Sequence, residues 1–188
     1  MAGQMVDSYG RIVTGIRIAL TPSCNLRCIY CHHEGELFPG GQIPGEMVVK
    51  ITKAAAELGM RSVKFTGGEP LLRSDLEEII ARIPQSLDTS LTTNGILLAE
   101  RAEALARAGL DRVNVSLDSL KPSAYCHITG GRPGDLERVL AGIDASREAD
   151  LLPIKLNFVV LKKNEAEVPE MIDFCRHSGL ILQLIELL

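Results

Sequence analysis

The chain contains no tryptophan, and aromatic residues make up only 4% of its 188 residues. So sparse a set argues against the stacking platforms on which single-stranded nucleic acids lie. Basic residues are not in excess either: 20 Lys and Arg against 24 Asp and Glu give a formal net charge of −4. That disfavours a dedicated nucleic-acid binder and leaves no polybasic patch for a membrane surface. No apolar run approaches the ~18 residues that a bilayer span needs. The opening MAGQMVDSYGR lacks the apolar core of an export signal. Linkers, low-complexity tracts and short repeats are missing as well. These absences lead to the expectation of a cytoplasmic protein that forms one domain over residues 1–188, with no nucleic-acid or membrane partner.

What remains is ordinary globular material, 46% hydrophobic and 23% charged. At this length, folding buries roughly 70% of the surface the extended chain exposes, enough for a true core. The five cysteines are unevenly spread: Cys24, Cys28 and Cys31 fall within eight residues, while Cys126 and Cys175 stand alone. An odd number without an export signal argues against a disulfide framework. Clustered thiols in a reducing compartment bind metal, whereas the two isolated cysteines are read as small packing residues.

Short β-rich runs alternate with helical ones along the whole chain, the pattern of a parallel α/β sheet or barrel. Strands are predicted at Ile16–Leu20, Ser62–Thr66, Ser90–Thr93, Arg112–Leu117, Ile154–Leu161 and Ile181–Ile185. Helices are predicted near residues 45–58, 75–83, 97–108, 135–148 and 165–178. Ser74 followed by Glu77 reads as a capping box. Gly59, Gly109 and Gly179 stand where helix-terminating glycines belong. The longest connection, from Pro22 to about Gly45, carries the cysteine cluster, and long loops in compact domains are usually functional.

Parallel strands covered on both faces read as continuous apolar runs, but these strands alternate. Arg17, Ala19 and Thr21 oppose Ile16, Ile18 and Leu20; Ser62, Lys64 and Thr66 oppose Val63 and Phe65. Ser90, Thr92 and Asn94 share one face, as do Asn114, Ser116 and Asp118, and Lys155 with Asn157. Because the side-chain period is two, each strand has an apolar face for helices and a polar face for something else. With helices outside, the polar faces line a lumen, and charge there calls for water and a charged ligand. The alternative is an open sheet with that face in solvent.

Two segments carry chemistry. The first, Cys24-Asn-Leu-Arg-Cys28-Ile-Tyr-Cys31, places three soft ligands at one locus, which suits an iron–sulfur cluster or zinc. A four-iron cubane held by three cysteines leaves one iron free for another ligand. A structural zinc requires a fourth ligand, for which His32 and His33 are the candidates. In the second segment, Gly67-Gly68-Glu69-Pro70 after the second strand, glycines permit close backbone approach and a carboxylate can accept from an ammonium group.

With Tyr30 as the aromatic residue before the third cysteine, the spacing resembles that of the radical S-adenosylmethionine (SAM) superfamily. The resemblance implies a partial (β/α)6 barrel, a [4Fe-4S] cluster on Cys24, Cys28 and Cys31, and SAM chelated to the open iron. It implies one-electron cleavage of SAM to a 5′-deoxyadenosyl radical that takes hydrogen from a substrate. It also implies that Gly68 and Glu69 hold the SAM amino group.

Further segments extend the likeness over nearly the whole chain: Tyr9-Gly10-Arg11, Ile16-Arg17-Ile18, Thr66 to Arg73, Thr92-Thr93-Asn94-Gly95, Val115-Ser116-Leu117-Asp118, Ile128-Thr129-Gly130 and Pro153 to Asn157. They resemble the GTP 3′,8-cyclase family of molybdenum-cofactor biosynthesis. That resemblance assigns Arg17, Lys64, Thr92 and Lys155 to GTP, and Tyr30, Gly68 and Ser116 to SAM. Lys64 stands where many members carry arginine, and Ser62 where many carry lysine. Arg73 is read either as one more cation at the mouth of the lumen or as a solvated arginine at a helix start. The family's second [4Fe-4S] cluster belongs to a C-terminal part not found before Leu188, so this chain is expected to be the N-terminal portion of a longer enzyme. A methionine that meets SAM in the family would fall near Leu188. An electron donor such as flavodoxin or ferredoxin is implied, and a homodimer is compatible with the sequence. The rival functions are another radical SAM enzyme, such as a peptide-modifying or activating one, and a zinc-binding module without catalysis.

Overall fold

The six β-rich runs form the strands β1 Gly15–Ala19, β2 Ser62–Thr66, β3 Asp88–Thr93, β4 Arg112–Ser116, β5 Lys155–Val160 and β6 Ile181–Glu186. The structure is a computed structural model that describes residues 5–31 and 41–187. His32, His33 and Leu188 lie outside the described residues. Neighbouring strands are all parallel, and their spatial order follows the chain from β1 to β6.

Parallel neighbours need a crossover, and helices provide it: α1 Gly45–Glu57, α2 Leu76–Ala81, α3 Leu98–Ala108, α4 Pro122–Thr129, α5 Asp135–Glu148 and α6 Val168–Ser178. Crossovers of one hand in a sheet whose order never reverses put the helices on one side. Among the described residues no pairing joins β6 to β1, so the structure is a partial (β/α)6 barrel. No helix among the described residues is long and apolar enough to cross a membrane.

The alternation seen in the sequence sets the two layers. Ile18, Leu20, Val63, Phe65, Leu91, Val113, Val115, Leu156 and Phe158 are buried on the helix side. Each contributes about 1.5–3 kcal/mol by leaving water. On the other face Arg17 is exposed, and Lys64, Thr92, Ser116, Lys155 and Asn157 are half-buried. Gly109, with φ of 100°, turns the chain out of α3 in the left-handed conformation expected of a helix-ending glycine.

Two boundary readings change. Helix α4 was not expected; it is a single short helix opened by Pro122. Ser74 does not cap α2: the N-cap is Asp75, with no side-chain capping bond, because the Asp75 carboxylate is held by Arg73.

Arg73 is the clearest correction. It was read as a cation at the mouth or a solvated arginine, yet it is only 2% exposed. Its Nε and Nη2 donate to Asp75 Oδ1 and Oδ2 at 2.9 and 2.8 Å, and Nη1 donates to the carbonyls of Leu20 and Ile43 at 2.9 and 2.7 Å. The guanidinium thus ties the end of β1, the approach to α1 and the start of α2, leaving no face for a substrate. Removing it orphans two carbonyls, so Arg73→Met should lower stability by about 2 kcal/mol or more. Urea unfolding checks the loss; the folded variant should bind nucleotide as tightly as the unaltered protein.

Candidate active site

In a parallel barrel the loops after the strands gather at one edge, where sites are built. Here the cysteine loop follows β1, Gly67-Gly68-Glu69 follows β2, Asn94-Gly95 follows β3 and Leu117-Asp118 follows β4. The cysteine loop is fastened from both sides. On one side Leu20 N donates to Thr66 O, Gly68 N to Thr21 O and Glu69 N to Ser23 O, each at 2.7 Å. On the other, Arg27 N and Ile29 N each donate at 2.9 Å, to the carbonyls of Thr129 and Ile128 at the end of α4.

The two glycines are required by that closeness. A Cβ on Gly68 would stand 2.3 Å from Ser23 O, and one on Gly67, whose φ is 138°, 2.5 Å from Thr21 O. Neither position admits a side chain without moving the loop that bears the cysteines.

Glu69 also has a structural part that the sequence did not disclose. Its carboxylate is fully buried and accepts from Leu71 N at 2.9 Å, Thr93 Oγ1 at 2.7 Å and Asn94 N at 2.7 Å. Burial pushes its pKa up, while these three donors work against that rise. The side chain therefore locks the ends of β2 and β3 together. The carboxylate has no exposed surface with which to meet an ammonium group, which corrects the direct contact expected of it. Asn94, fixed by that bond, donates through Nδ2 to Asn25 Oδ1 at 2.7 Å and so reaches into the cysteine loop.

Tyr30 is aimed by a partner 88 positions away in the chain. Its hydroxyl donates to Asp118 Oδ2 at 2.6 Å, and Asp118 Oδ1 accepts from Val159 N at 2.8 Å. Burial first, and then the Asp118 carboxylate, raise the Tyr30 pKa, so the phenol keeps its proton as the bond requires. Sequence reasoning placed Asp118 on a strand face but gave it no task. Its signal was a buried-site carboxylate following the Ser116 strand.

Cys24 and Cys31 are exposed and Cys28 is half-buried. Leu26 N donates to Cys24 Sγ at 3.4 Å. The Cys28 thiol is pushed up to about 12, mainly by burial and next by Asp118, and both Cys24 and Cys31 add to the rise. Three thiols that feel one another's charge, on a pinned loop, fit a cluster in which each cysteine takes a different iron. Among the described residues no three side chains converge as ligands of a single metal ion do. Soft donors of this kind bind as thiolates, so loading such a cluster releases protons.

The lumen below is cationic. In the register Arg17 lies beside Lys64, Lys64 beside Ser90, and Ser90 beside Arg112. One step towards the cysteines, Thr92 lies beside Asn114 and Asn114 beside Lys155. Arg112 is neutralised by Asp88, whereas Arg17, Lys64 and Lys155 have no acidic partner among the described residues. The Lys64 pKa is lowered, first by burial and then by Arg17, Lys155 and Arg112. Ser116 stands one further step up, beside Asn157. The structure therefore brings Arg17, Lys64, Thr92, Ser116 and Lys155 to one face beneath the cysteine loop.

Fold and site together define a class. A sequence profile described as the radical SAM superfamily matches residues 18–175. The chain belongs to that superfamily, whose enzymes use a [4Fe-4S] cluster and SAM. Within it, the chain is 53% identical over 192 aligned positions to a protein of Methanosarcina mazei named probable GTP 3′,8-cyclase, covering 98% of this chain and 58% of the relative. A protein of the same name in Archaeoglobus fulgidus is 50% identical over 96% of this chain and 62% of its own length. The chain thus spans about three-fifths of the curated relatives it matches. Among solved structures, SuiB of Streptococcus suis bound to precursor peptide SuiA superposes with a TM-score of 0.79 at 22% identity, over 94% of this chain and 40% of SuiB. The enzyme anSMEcpe with bound AdoMet gives 0.78 at 19%, over 94% of this chain and 51% of its own. These two support the fold. Membership of the superfamily removes the zinc module from consideration.

Proposed function

We propose that residues 1–188 are the radical SAM core domain of a longer GTP 3′,8-cyclase, acting in the first step of molybdenum-cofactor biosynthesis. The reaction would convert GTP to (8S)-3′,8-cyclo-7,8-dihydroguanosine 5′-triphosphate by hydrogen removal at ribose C3′ and bond formation to guanine C8. Relatives at about half identity carry that name. The single observation that carries the reading is the set Arg17, Lys64 and Lys155, cations without acidic partners that face the lumen from three strands. A net-acidic chain that gathers cations in its interior is suited to a polyanion, and a triphosphate supplies one.

In this reading Cys24, Cys28 and Cys31 hold the [4Fe-4S] cluster, and Tyr30, Gly68 and Ser116 surround SAM. Arg17, Lys64, Thr92 and Lys155 hold GTP, with Lys155 and Thr92 nearest the cysteine edge. When bound, the cluster and SAM supply the one-electron chemistry that starts the reaction. The chain's own work is orientation: Arg17 and Lys64 anchor the polyanion one register step below Thr92 and Lys155, so the nucleoside end points towards the cysteine loop. Proximity of this kind is what an intramolecular ring closure needs. A second cluster would belong to the rest of the longer protein. An electron donor of the flavodoxin or ferredoxin kind and a cytoplasmic location are part of the same proposal.

The test is anaerobic reconstitution of the full-length protein with iron, sulfide, SAM, a reductant and GTP. The cyclised triphosphate is the expected product. SAM cleavage that GTP neither accelerates nor redirects would overturn the assignment and favour another radical SAM reaction.

A further inference from the structure

Asn114 occupies the middle of the lumenal face and has no work to do in the empty chain. It is only 3% exposed. Its Nδ2 is enclosed and without a hydrogen-bond partner. Buried polar side chains are almost always partnered, and an exception calls for an explanation. Packing offers none: Val113 and Val115, on either side of it in β4, point to the helix layer and are fully buried there, while Asn114 points the other way.

The register says what surrounds it. Its lateral neighbours are Thr92 on β3 and Lys155 on β5. Along its own strand, Arg112 lies below and Ser116 above on the same face. Arg112 is occupied by Asp88. Thr92 and Lys155 are substrate positions in the reading above, and Ser116, one step nearer the cysteines, is a SAM position. Asn114 therefore belongs to the substrate step, between a hydroxyl and a cation that both seek oxygen. An amide between them supplies a neutral donor at the centre of the row.

We infer that Asn114 is a substrate-positioning residue, its amide N–H donating to an oxygen of the nucleoside triphosphate held between Thr92 and Lys155. The inference rests on the proposed GTP site. The unmet donor is kept in the empty lumen because the ligand meets it, and the bound nucleotide gains a fixed hydrogen bond in a water-poor setting.

The test compares two quantities in full-length protein purified anaerobically: stability without ligand, and GTP affinity by titration in the presence of magnesium. In Asn114→Leu the unmet donor becomes an apolar group of similar size. A buried pairless donor stabilises nothing, so the free protein should be as stable as the unaltered one or more stable. GTP affinity should fall roughly ten-fold or more, with SAM affinity unchanged. Asn114→Asp keeps the shape, replaces the donor by an anion beside Lys155 and should weaken GTP at least as much. A free protein that loses stability in Asn114→Leu while GTP affinity holds in both variants would show that the amide is merely structural and overturn the inference. If the unaltered protein itself fails to bind GTP, the site reading falls, and this inference with it. If the unaltered protein binds and both variants bind equally well, only the inference falls.

Discussion

Full-length protein carrying Cys28→Ala is expected to purify anaerobically with iron and sulfide at background, and to form no cyclised product. The reason is coordination number. Three cysteines supply one ligand to each of three irons, leaving the fourth for SAM; with two, the cubane loses its hold and the chemistry it carries disappears. Cys28 is the informative position because it is half-buried between the two exposed cysteines, where no solvent ligand easily replaces it. Cys24→Ala and Cys31→Ala should behave alike. Cys126→Ser provides the contrast, because that residue lies on α4, outside the loop, and should retain full iron. Iron and sulfide assay with the visible absorption spectrum decides the matter. A Cys28→Ala protein that holds normal iron would disprove the cluster assignment.

The second large effect concerns the lumenal cations. Lys64→Met should weaken GTP binding roughly ten- to a hundred-fold, the worth of one charge-assisted hydrogen bond, without weakening the empty fold. Burial and the neighbouring Arg17 and Lys155 make the charged form costly, so the Lys64 pKa sits below its ordinary 10.5. The sign follows from linkage. Between the lowered pKa and 10.5 the unfolded chain binds the proton more readily, so stability of the free protein rises with pH across that window. A bound triphosphate reverses the balance by favouring the cation. Binding should then take up protons at alkaline pH, and affinity should fall as pH climbs through the lowered pKa. Lys64→Met should abolish both the proton uptake and that part of the pH dependence. Calorimetric titration of GTP in buffers of different ionisation enthalpy measures the uptake directly.

Much of this architecture could be read from residue periodicity, because one repeated pattern set it. Ile18 against Arg17, Phe65 against Lys64 and Leu156 against Lys155 fixed which face met the helices, and the parallel register then brought the cations together. Local spacing likewise placed three thiols in one loop and two glycines after β2. The readings that failed depended on contacts between distant segments. Arg73 looked free because its partners include Leu20 and Ile43, 53 and 30 positions away. Glu69 looked available because nothing local showed that Thr93 and Asn94 would close over it. Tyr30 was picked out as an aromatic neighbour of Cys31, but Asp118, which fixes its hydroxyl, lies at the far end of another strand. Helix α4 was missed because eight residues opened by a proline carry too short an apolar period to stand out.

The central claim is that this lumen presents GTP, with its ribose directed at the cysteine edge, for hydrogen removal at C3′. The most direct measurement uses GTP deuterated at ribose C3′ in the reconstituted full-length protein, followed by mass spectrometry of the 5′-deoxyadenosine produced from SAM. The account predicts deuterium in the 5′-deoxyadenosine and its absence from the cyclised product. Unlabelled 5′-deoxyadenosine formed at the same rate with and without GTP would contradict it.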